Sequence, residues 1–390
     1  MAIEPGVNRT TIISASKGLL ITQPTTSGSR WSRLVDDASK PVTDSRGFLE
    51  RLPKWLIVIP LVVQWLLLSL RYRALVLPSV ANPAITSGGM VGEGKMEYFC
   101  SMGAHALAAT ARSASLIVDP ANAATQAAAC MARAGIAFPI IAKPDLGMCG
   151  FGVRRVDNPV DLADYLAAFP PGEGVVLQAY VPLDGEAGIF YVRQPGEPSG
   201  RLLGVALRYF PRVTGDGKST LAQLIACDAR LRRLSRDPLH RVEHDRNRVP
   251  HAGEVVRLAT IGSTRVGGLY RDGGRLITPQ LSAAIDAIAG DMEEFYFGRF
   301  DLRYTSEEAL MAGEGFTIIE VNGAGSEAIE AWDPALSPVA AFGKIFHKQA
   351  LLFKIAAANR QRGYRPIGVV QFGRLHMRQQ KLIPRYPPSN

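Results

Sequence analysis

The interpretation of this sequence rests on two stretches, GRFDLRY at residues 298–304 and GFTIIEVNGAGSEA at residues 315–328. Both are rich in β-branched and aromatic residues, and a polar loop joins them, so they predict consecutive strands. Side chains of a strand alternate between its two faces. Four polar side chains therefore share faces of these strands: Arg299 and Asp301 on the first, Glu320 and Asn322 on the second.

Three of these side chains offer the oxygen atoms that hard divalent cations bind. Asp301 and Glu320 supply carboxylates and Asn322 supplies an amide oxygen, a set that suits Mg²⁺ or Mn²⁺. A carboxylate on an apolar strand costs free energy unless it is paired or bound to a metal ion. The alternative interpretation is a salt bridge from Arg299 or Arg303.

A second candidate site lies upstream, in FPIIAKPDLGMCGFGV at residues 138–153. A short apolar strand carries Lys143, and a loop with Gly147, Gly150 and Gly152 follows it. A strand lysine supplies a point charge for phosphates, and glycines let backbone N–H groups approach the phosphate oxygens. The alternative is an ordinary glycine-rich hairpin beside a solvated lysine, because such loops are common.

Together these residues resemble the ATP-grasp superfamily, especially its D-alanine:D-alanine ligase and cyanophycin synthetase-like branches. The resemblance covers about half of the chain, from Phe138 to Trp332. It implies an α+β fold in which two α+β subdomains grip ATP. The remaining sequence predicts a reduced N-terminal α/β lobe and a hydrophobic N-terminal helix.

The resemblance also implies a role for each candidate residue. Lys143 and the glycine loop would clamp the phosphates of ATP. Asp301 would hold one Mg²⁺, Glu320 would bridge two, and Asn322 would hold the second. Arg299 would stabilise the acyl-phosphate and the developing oxyanion charge. The implied activity is an ATP-dependent ligase that activates a small-molecule carboxylate as an acyl-phosphate and joins it to an amine.

Further segments resemble other parts of the nucleotide site. Backbone groups in VVLQAYVPLDGEAG would read the adenine edge, at Gln178, Ala179, Tyr180 and Val181. Glu186 would accept from the ribose hydroxyls or, as in some branches, face the second substrate. Lys218, in a GDGK loop, would contact phosphate or an acidic substrate, with a solvated turn lysine as the alternative. Lys95 is either a second phosphate lysine or part of a plain loop.

The sequence leaves the two substrates open. The region after Asn322 lacks the serine-proline-glycine run by which dipeptide ligases recognise their second amino acid, so D-alanine is not predicted. Two rival functions also stay open. One is a membrane-associated protein that binds ATP as a regulatory ligand without ligase activity, and the other is an ATP-grasp kinase.

Bulk composition limits the partners and the compartment. The net charge of +9 suits anionic partners such as nucleotides or lipid headgroups. The basic residues are scattered without aromatic interleaving, so no nucleic-acid binding is predicted. Four cysteines without a CxxC pair, and an N-terminus without the pattern of a secretory signal, predict a cytoplasmic protein.

The N-terminal region contains the strongest compositional anomaly of the chain. The run WLIVIPLVVQWLLLSL at residues 55–70 has no formal charge, but it is short for a membrane span and contains Pro60. Tryptophans and flanking cations favour a membrane interface, and the alternatives are burial or an oligomer contact. The predicted divisions are a disordered leader (1–48), this helix (49–77), a small lobe (78–137), the ATP-grasp domain (138–335) and a C-terminal helix with a basic tail (336–390).

Overall fold

The computed structural model describes residues 12–13 and 46–390, apart from 237–238, 241 and 243. Its α-helices are α1 (Phe48–Arg51), α2 (Lys54–Tyr72), α3 (Lys95–Cys100), α4 (Ala104–Ala108), α5 (Ala123–Ala134), α6 (Pro159–Ala167), α7 (Leu221–Cys227), α8 (Pro279–Gly290), α9 (Glu307–Met311), α10 (Pro338–Gln361) and α11 (Val369–Leu382). Its strands are β1 (Ile12–Ile13), β2 (Ser113–Ile117), β3 (Ile140–Pro144), β4 (Arg154–Val156), β5 (Gly174–Ala179), β6 (Gly185–Val192), β7 (Arg201–Tyr209), β8 (Arg212–Thr214), β9 (Val255–Arg257), β10 (Leu269–Asp272), β11 (Phe297–Tyr304) and β12 (Phe316–Asn322).

The first sheet, here called sheet one, has the order β1-β2-β5-β3-β4, and all its pairings are antiparallel. Helices α5 and α6 pack on it because each carries an apolar stripe that is buried against the strands. Helix α5 ends at Gly135, whose φ of 61° is the left-handed conformation that commonly stops a helix. Strand β3, which carries Lys143, is therefore held in place by its neighbouring strands and by the helices packed on sheet one.

The second sheet, sheet two, has the order β10-β7-β6-β11-β12 and is also antiparallel. Phe300 and Leu302 of β11 point into a core shared with Leu281 and Ile285 of α8. The intervening residues of β11 are polar, and strand alternation turns them to the opposite face. The predicted α+β architecture, with helices packed on antiparallel sheets, is confirmed.

A small unit is inserted in the chain between β7 and β10 of sheet two. The strands β8 and β9 pair with each other, and α7 packs on them around Leu221 and Ile225. Arg230 of this unit bonds Glu50 just before α2, with 2.6 Å between Nη2 and Oε2. The N-terminal segment is thereby fixed to the body of the protein.

The predicted apolar helix is present as α2, which contains Pro60. Among the described residues, α2 is the one helix that is long and apolar enough, by length and composition alone, to cross a membrane. One stripe of α2 packs along α10, where the Trp65 and Phe353 rings are 4.9 Å apart. Helix α11 follows α10 in the region predicted to be a basic tail.

The predicted domain divisions stay predictions. Sheet one runs across the proposed boundary at residue 137, because β2 pairs with β5. Most of the predicted disordered leader lies outside the described residues.

A buried ion pair joins α10 to the sheet-two side of the protein. Lys348 Nζ lies 2.6 Å from Glu330 Oε1, and both side chains are almost fully buried. The ammonium also lies 3.7 Å from the centre of the Phe190 ring. Burial lowers the pKa of Lys348 to about 8, against the opposing effect of Glu330.

Loss of one member of this pair should strongly destabilise the protein. In Lys348→Met, Glu330 keeps a buried charge without its partner, so the free energy of unfolding should fall by about 3–5 kcal/mol in urea denaturation. Combining it with Glu330→Gln should recover most of the loss. The control is Lys344→Met, which breaks the more exposed pair with Asp272 and should cost under about 1 kcal/mol. Equal costs for the two lysines would contradict the argument.

Candidate functional site

The charged face of sheet two brings the four polar residues of β11 and β12 together. The register places Arg299 opposite Asn322 and Asp301 opposite Glu320. Gly188 of β6 lies opposite Asp301 on the other side, and a Cβ there would approach Asp301 Oδ1 to 3.0 Å. The absence of a side chain at position 188 therefore leaves room for the carboxylate.

Asp301 is the most enclosed member of the group. Its Oδ1 accepts from Arg299 Nε at 2.6 Å, and its Oδ2 lies 2.8 Å from Arg208 Nη2. Asn322 Nδ2 also donates to Oδ2 at 3.1 Å. Burial alone would raise the pKa of Asp301, but the guanidinium charges of Arg208 and Arg299 outweigh it and lower the pKa. Asp301 is therefore an ionised carboxylate held between two cations.

Glu320 is the more accessible carboxylate. Its side chain is 30% exposed, and Oε1 lies 3.3 Å from Lys95 Nζ. Burial acts to raise the pKa of Glu320, yet Lys95 and Lys143 lower it overall. An ionised, partly accessible oxygen donor thus stands beside two ammonium groups.

Lys143 meets these residues from sheet one. Its ammonium donates to Gln178 Oε1 at 3.0 Å and to the backbone oxygen of Ile319 in β12 at 2.9 Å. Gln178 Nε2 donates to the same backbone oxygen at 3.1 Å. The two sheets therefore meet where Lys143 of sheet one contacts β12 of sheet two, and we call this junction, with Lys95, Lys143, Asp301 and Glu320, the cleft.

The glycine-rich loop after β3 begins at the cleft with Gly147, whereas Gly150 lies beside Ile261 and Gly152 beside Pro144 and Tyr386. Gly150 and Gly152 both have φ of 72°, a conformation that side chains with a Cβ rarely adopt. A Cβ at Gly147 would lie 3.3 Å from Lys95 Nζ. The backbone nitrogen of Lys95 donates to the Asp145 backbone oxygen at 3.1 Å. Lys95 therefore lies between the glycine loop and Glu320.

The other predicted nucleotide contacts are placed differently. The backbone N–H groups of Ala179 and Tyr180 already donate to Arg112 and Pro139 within sheet one, whereas Gln178 enters the cleft through its side chain. Val181 follows them in the chain, just after β5.

Glu186 is buried, and its carboxylate oxygens lie 3.2 Å from Arg208 Nη1 and 2.9 Å from Arg303 Nε. Lys218 is exposed in the turn before α7. The structure thus brings Glu186 to the charged face of sheet two and places Lys218 in the small inserted unit.

Two residues of the cleft were missed by the sequence reasoning. Arg208 sits on the apolar strand β7, so the buried-charge argument used for Glu320 would have singled it out. Glu93 precedes Lys95 by two residues, and burial raises its pKa to about 7. Its Oε2 atom has no hydrogen-bond partner within the described part of the chain.

The cleft combines cations, glycine backbone and oxygen donors in the arrangement that polyphosphate binding needs. Lys95 and Lys143 provide point charges, and Glu320 provides an accessible hard ligand beside them. The donor set of Asp301, Glu320 and Asn322 suits Mg²⁺ chemically, because all three side chains offer oxygen and stand on adjacent strands.

Comparison with solved structures returned ligases and synthetases at low similarity. A bifunctional glutathione synthetase from Pasteurella multocida is 18% identical at a TM-score of 0.31, covering 62% of this chain and 34% of that one. The ADP complex of an N5-carboxyaminoimidazole ribonucleotide synthetase is 14% identical at a TM-score of 0.35, and the match covers 68% of this chain and 53% of that one. A D-Ala:D-Ser ligase from Enterococcus faecalis is 15% identical at a TM-score of 0.33, and the match covers 65% of this chain and 64% of that one.

The chain thus spans between 34% and 64% of the length of these proteins. No family model and no curated protein matches it. At such TM-scores the likeness carries no argument about the reaction.

Nucleotide affinity should depend on the charge of Lys143. Burial lowers the pKa of Lys143 to about 8, although Glu320 acts in the opposite direction. The ammonium is present below pH 8 and is lost above it, so the Kd for ADP should rise about tenfold between pH 7 and pH 9. Calorimetric titration at several pH values measures this. Lys143→Arg should flatten the profile, because guanidinium stays charged; a flat profile in the unmodified protein would refute the role.

Proposed function

We propose that this protein is an ATP-dependent carboxylate–amine ligase. The observation that carries the proposal is the meeting of Lys143 from sheet one with Glu320 and Asp301 from sheet two across a single cleft. Glu320 pairs with Lys95 but stays 30% exposed, so its carboxylate is still open to a ligand, as the charge of a purely structural ion pair need not be. Such a cleft is suited to transferring a phosphoryl group, where positioning and charge neutralisation supply most of the catalysis.

The proposed reaction has two steps. An oxygen of the substrate carboxylate attacks the γ-phosphorus of ATP, the bond to the bridging oxygen breaks, and ADP leaves. The amine nitrogen of the second substrate then attacks the acyl carbon, inorganic phosphate leaves with the bonding electrons, and the amine gives up a proton. The products are an amide, ADP and phosphate.

The residues of the cleft divide this work. Lys143 and Lys95 would neutralise the phosphates, and the backbone of Gly147, Gly150 and Gly152 would approach the phosphate oxygens. Arg299 would stabilise the negative charge that develops on the acyl group, since a fixed guanidinium needs no reorganisation when the charge appears.

Asp301, Glu320 and Asn322 would hold Mg²⁺ or Mn²⁺, which when bound supplies further neutralisation of phosphate charge. Arg208 and Arg299 keep Asp301 ionised for that purpose. Glu320 is more exposed than Asp301 and would therefore be the more open carboxylate for the cation.

Product analysis tests the proposal. The protein is incubated with ATP, Mg²⁺ and panels of carboxylates and amines, and the products are identified by mass spectrometry. We expect ADP together with a product whose mass equals that of acid plus amine minus water. A product that is a phosphate ester would instead identify a kinase. Tight ATP binding without ADP release across the panels would identify a regulatory nucleotide site.

A further inference from the structure

Helix α2 has an apolar outer surface that the rest of the protein leaves uncovered. Ile57 and Leu61 pack toward α10 on one side, and Trp65 and Leu68 continue the same stripe. The opposite stripe is 39–77% exposed and consists of Trp55, Leu56, Val58, Ile59, Val62, Val63, Leu66, Leu67 and Leu70. A single surface therefore collects nine exposed apolar side chains, beyond the scattered ones normal in water-soluble proteins.

The two uncharged polar residues within the apolar run of α2, Gln64 and Ser69, are not on its outer surface. Gln64 lies on the inner side, where Nε2 donates to the Phe346 backbone oxygen at 3.0 Å. Ser69 is buried. Gln64 Oε1 and Ser69 Oγ have no hydrogen-bond partner within the described residues. A surface helix in water turns its polar residues outward, so α2 is suited to an apolar solvent on its outer side.

The charges around α2 favour an anionic lipid membrane as this apolar environment. Arg51 precedes the helix, Arg71 and Arg73 follow its apolar run, and all three are exposed. The sequence from 51 to 92 contains no aspartate or glutamate. Basic residues at both ends of an apolar surface attract anionic headgroups, and the exposed Trp55 favours the membrane–water interface.

The contacts of the inner stripe decide how α2 would lie. Tyr72 stacks on Phe353 of α10, and its backbone oxygen accepts from Arg360 Nη1 at 2.8 Å. A helix that crossed the bilayer would have to leave these contacts and place Gln64 and Ser69 among lipid chains. A helix lying in the membrane plane keeps every one of them.

We propose that α2 is an in-plane membrane anchor, with its outer stripe inserted in the interface of an anionic bilayer and its inner stripe docked on α10. The anchor acts on one leaflet only. It is independent of the proposed ligase activity, because it uses none of the residues of the cleft.

Vesicle binding of the full-length protein tests the anchor. We expect it to sediment with vesicles of phosphatidylcholine and phosphatidylglycerol. Leu67→Glu combined with Leu70→Glu should weaken partitioning about 100-fold while leaving the melting temperature unchanged, since both side chains are exposed. The matched control is Val369→Glu with Val370→Glu, an exposed apolar pair on α11, which should sediment like the unmodified protein.

The charges and the orientation are tested separately. Arg71→Gln with Arg73→Gln should weaken binding roughly tenfold on phosphatidylglycerol vesicles and little on neutral ones. A tryptophan introduced by Val63→Trp, at mid-helix, should be quenched most by lipids brominated near the headgroup. Strongest quenching by lipids brominated near the chain end would show a spanning helix and overturn the in-plane anchor.

Two other results would overturn the proposal altogether. One is recovery of the full-length protein in the supernatant with both vesicle compositions. The other is a dimer in solution that Leu67→Glu with Leu70→Glu dissociates, which would show that a second copy of the chain covers the outer stripe. Deletion of α2 is not a substitute for these variants, because it would also uncover the apolar contacts on α10.

Discussion

Glu320→Gln should lower ADP formation about 1000-fold or more while the protein stays folded. Glutamine keeps the size of the side chain but removes the charge that would draw a divalent cation and that pairs with Lys95 at 3.3 Å. Loss of one preorganised charge at such a site typically costs two to three orders of magnitude, and loss of a metal ligand adds to this. Steady-state ADP release at saturating ATP and Mg²⁺ measures the effect.

The matched control for Glu320→Gln is Glu307→Gln. Glu307 has a similar side-chain exposure, 23%, and also pairs with a cation, Arg275, but it lies on α9 away from the cleft. It should retain full activity. Binding of ADP without metal should persist in Glu320→Gln, because Lys143 remains. Near-normal turnover of Glu320→Gln would remove the basis of the proposed site.

Asp301→Asn should abolish activity and also destabilise the fold, in contrast to Glu320→Gln. Asp301 is 1% exposed, and its carboxylate forms ion pairs with both Arg299 and Arg208. Removing its charge leaves the buried Arg299 guanidinium without a carboxylate and leaves Arg208 with Glu186 as its one remaining carboxylate among the described residues. We expect the free energy of unfolding to fall by about 3–5 kcal/mol, as when one partner of a buried ion pair is lost.

A second substitution separates the two effects of Asp301→Asn. Adding Arg208→Met removes one of the two guanidinium groups that lose the Asp301 charge, and it should restore part of the stability in urea denaturation without restoring activity. Recovery of stability and activity together would show that Asp301 only supports the fold. Unchanged stability of Asp301→Asn alone would show that the two arginines find other partners.

Much of the charged cleft was predictable because it depends on local periodicity. Alternation along β11 and β12 places Asp301 and Glu320 on the same face. The apolar neighbours of Glu320 indicate a carboxylate that must be paired or bound to a metal ion, because burying it alone would cost free energy. Lys143 and its glycines are likewise recognisable in one short stretch. Each of these signals lies within a few residues of the chain.

The partners of these residues were not predictable, because they come from distant strands. The pairing of Asp301 with Arg208 depends on β7 lying two strands away from β11 in sheet two, which no local pattern contains. The link from Lys143 to the Ile319 backbone requires the two sheets to meet. The composition of α2 identified an unusually apolar helix. Which of its side chains are buried and which are exposed depends on its packing against α10, which the sequence pattern does not contain.

The dependence of α2 on α10 has a consequence for protein synthesis. The ribosome releases α2 roughly 270 residues before α10 begins, an interval of about 15–50 s at ~5–20 residues per second. Throughout that time the inner stripe of the helix lacks its contacts with α10, so the nascent chain exposes an apolar segment to chaperones and to the translocation machinery. The chaperone supply of an expression host, more than its transcription level, should therefore limit how much of this protein reaches its native form.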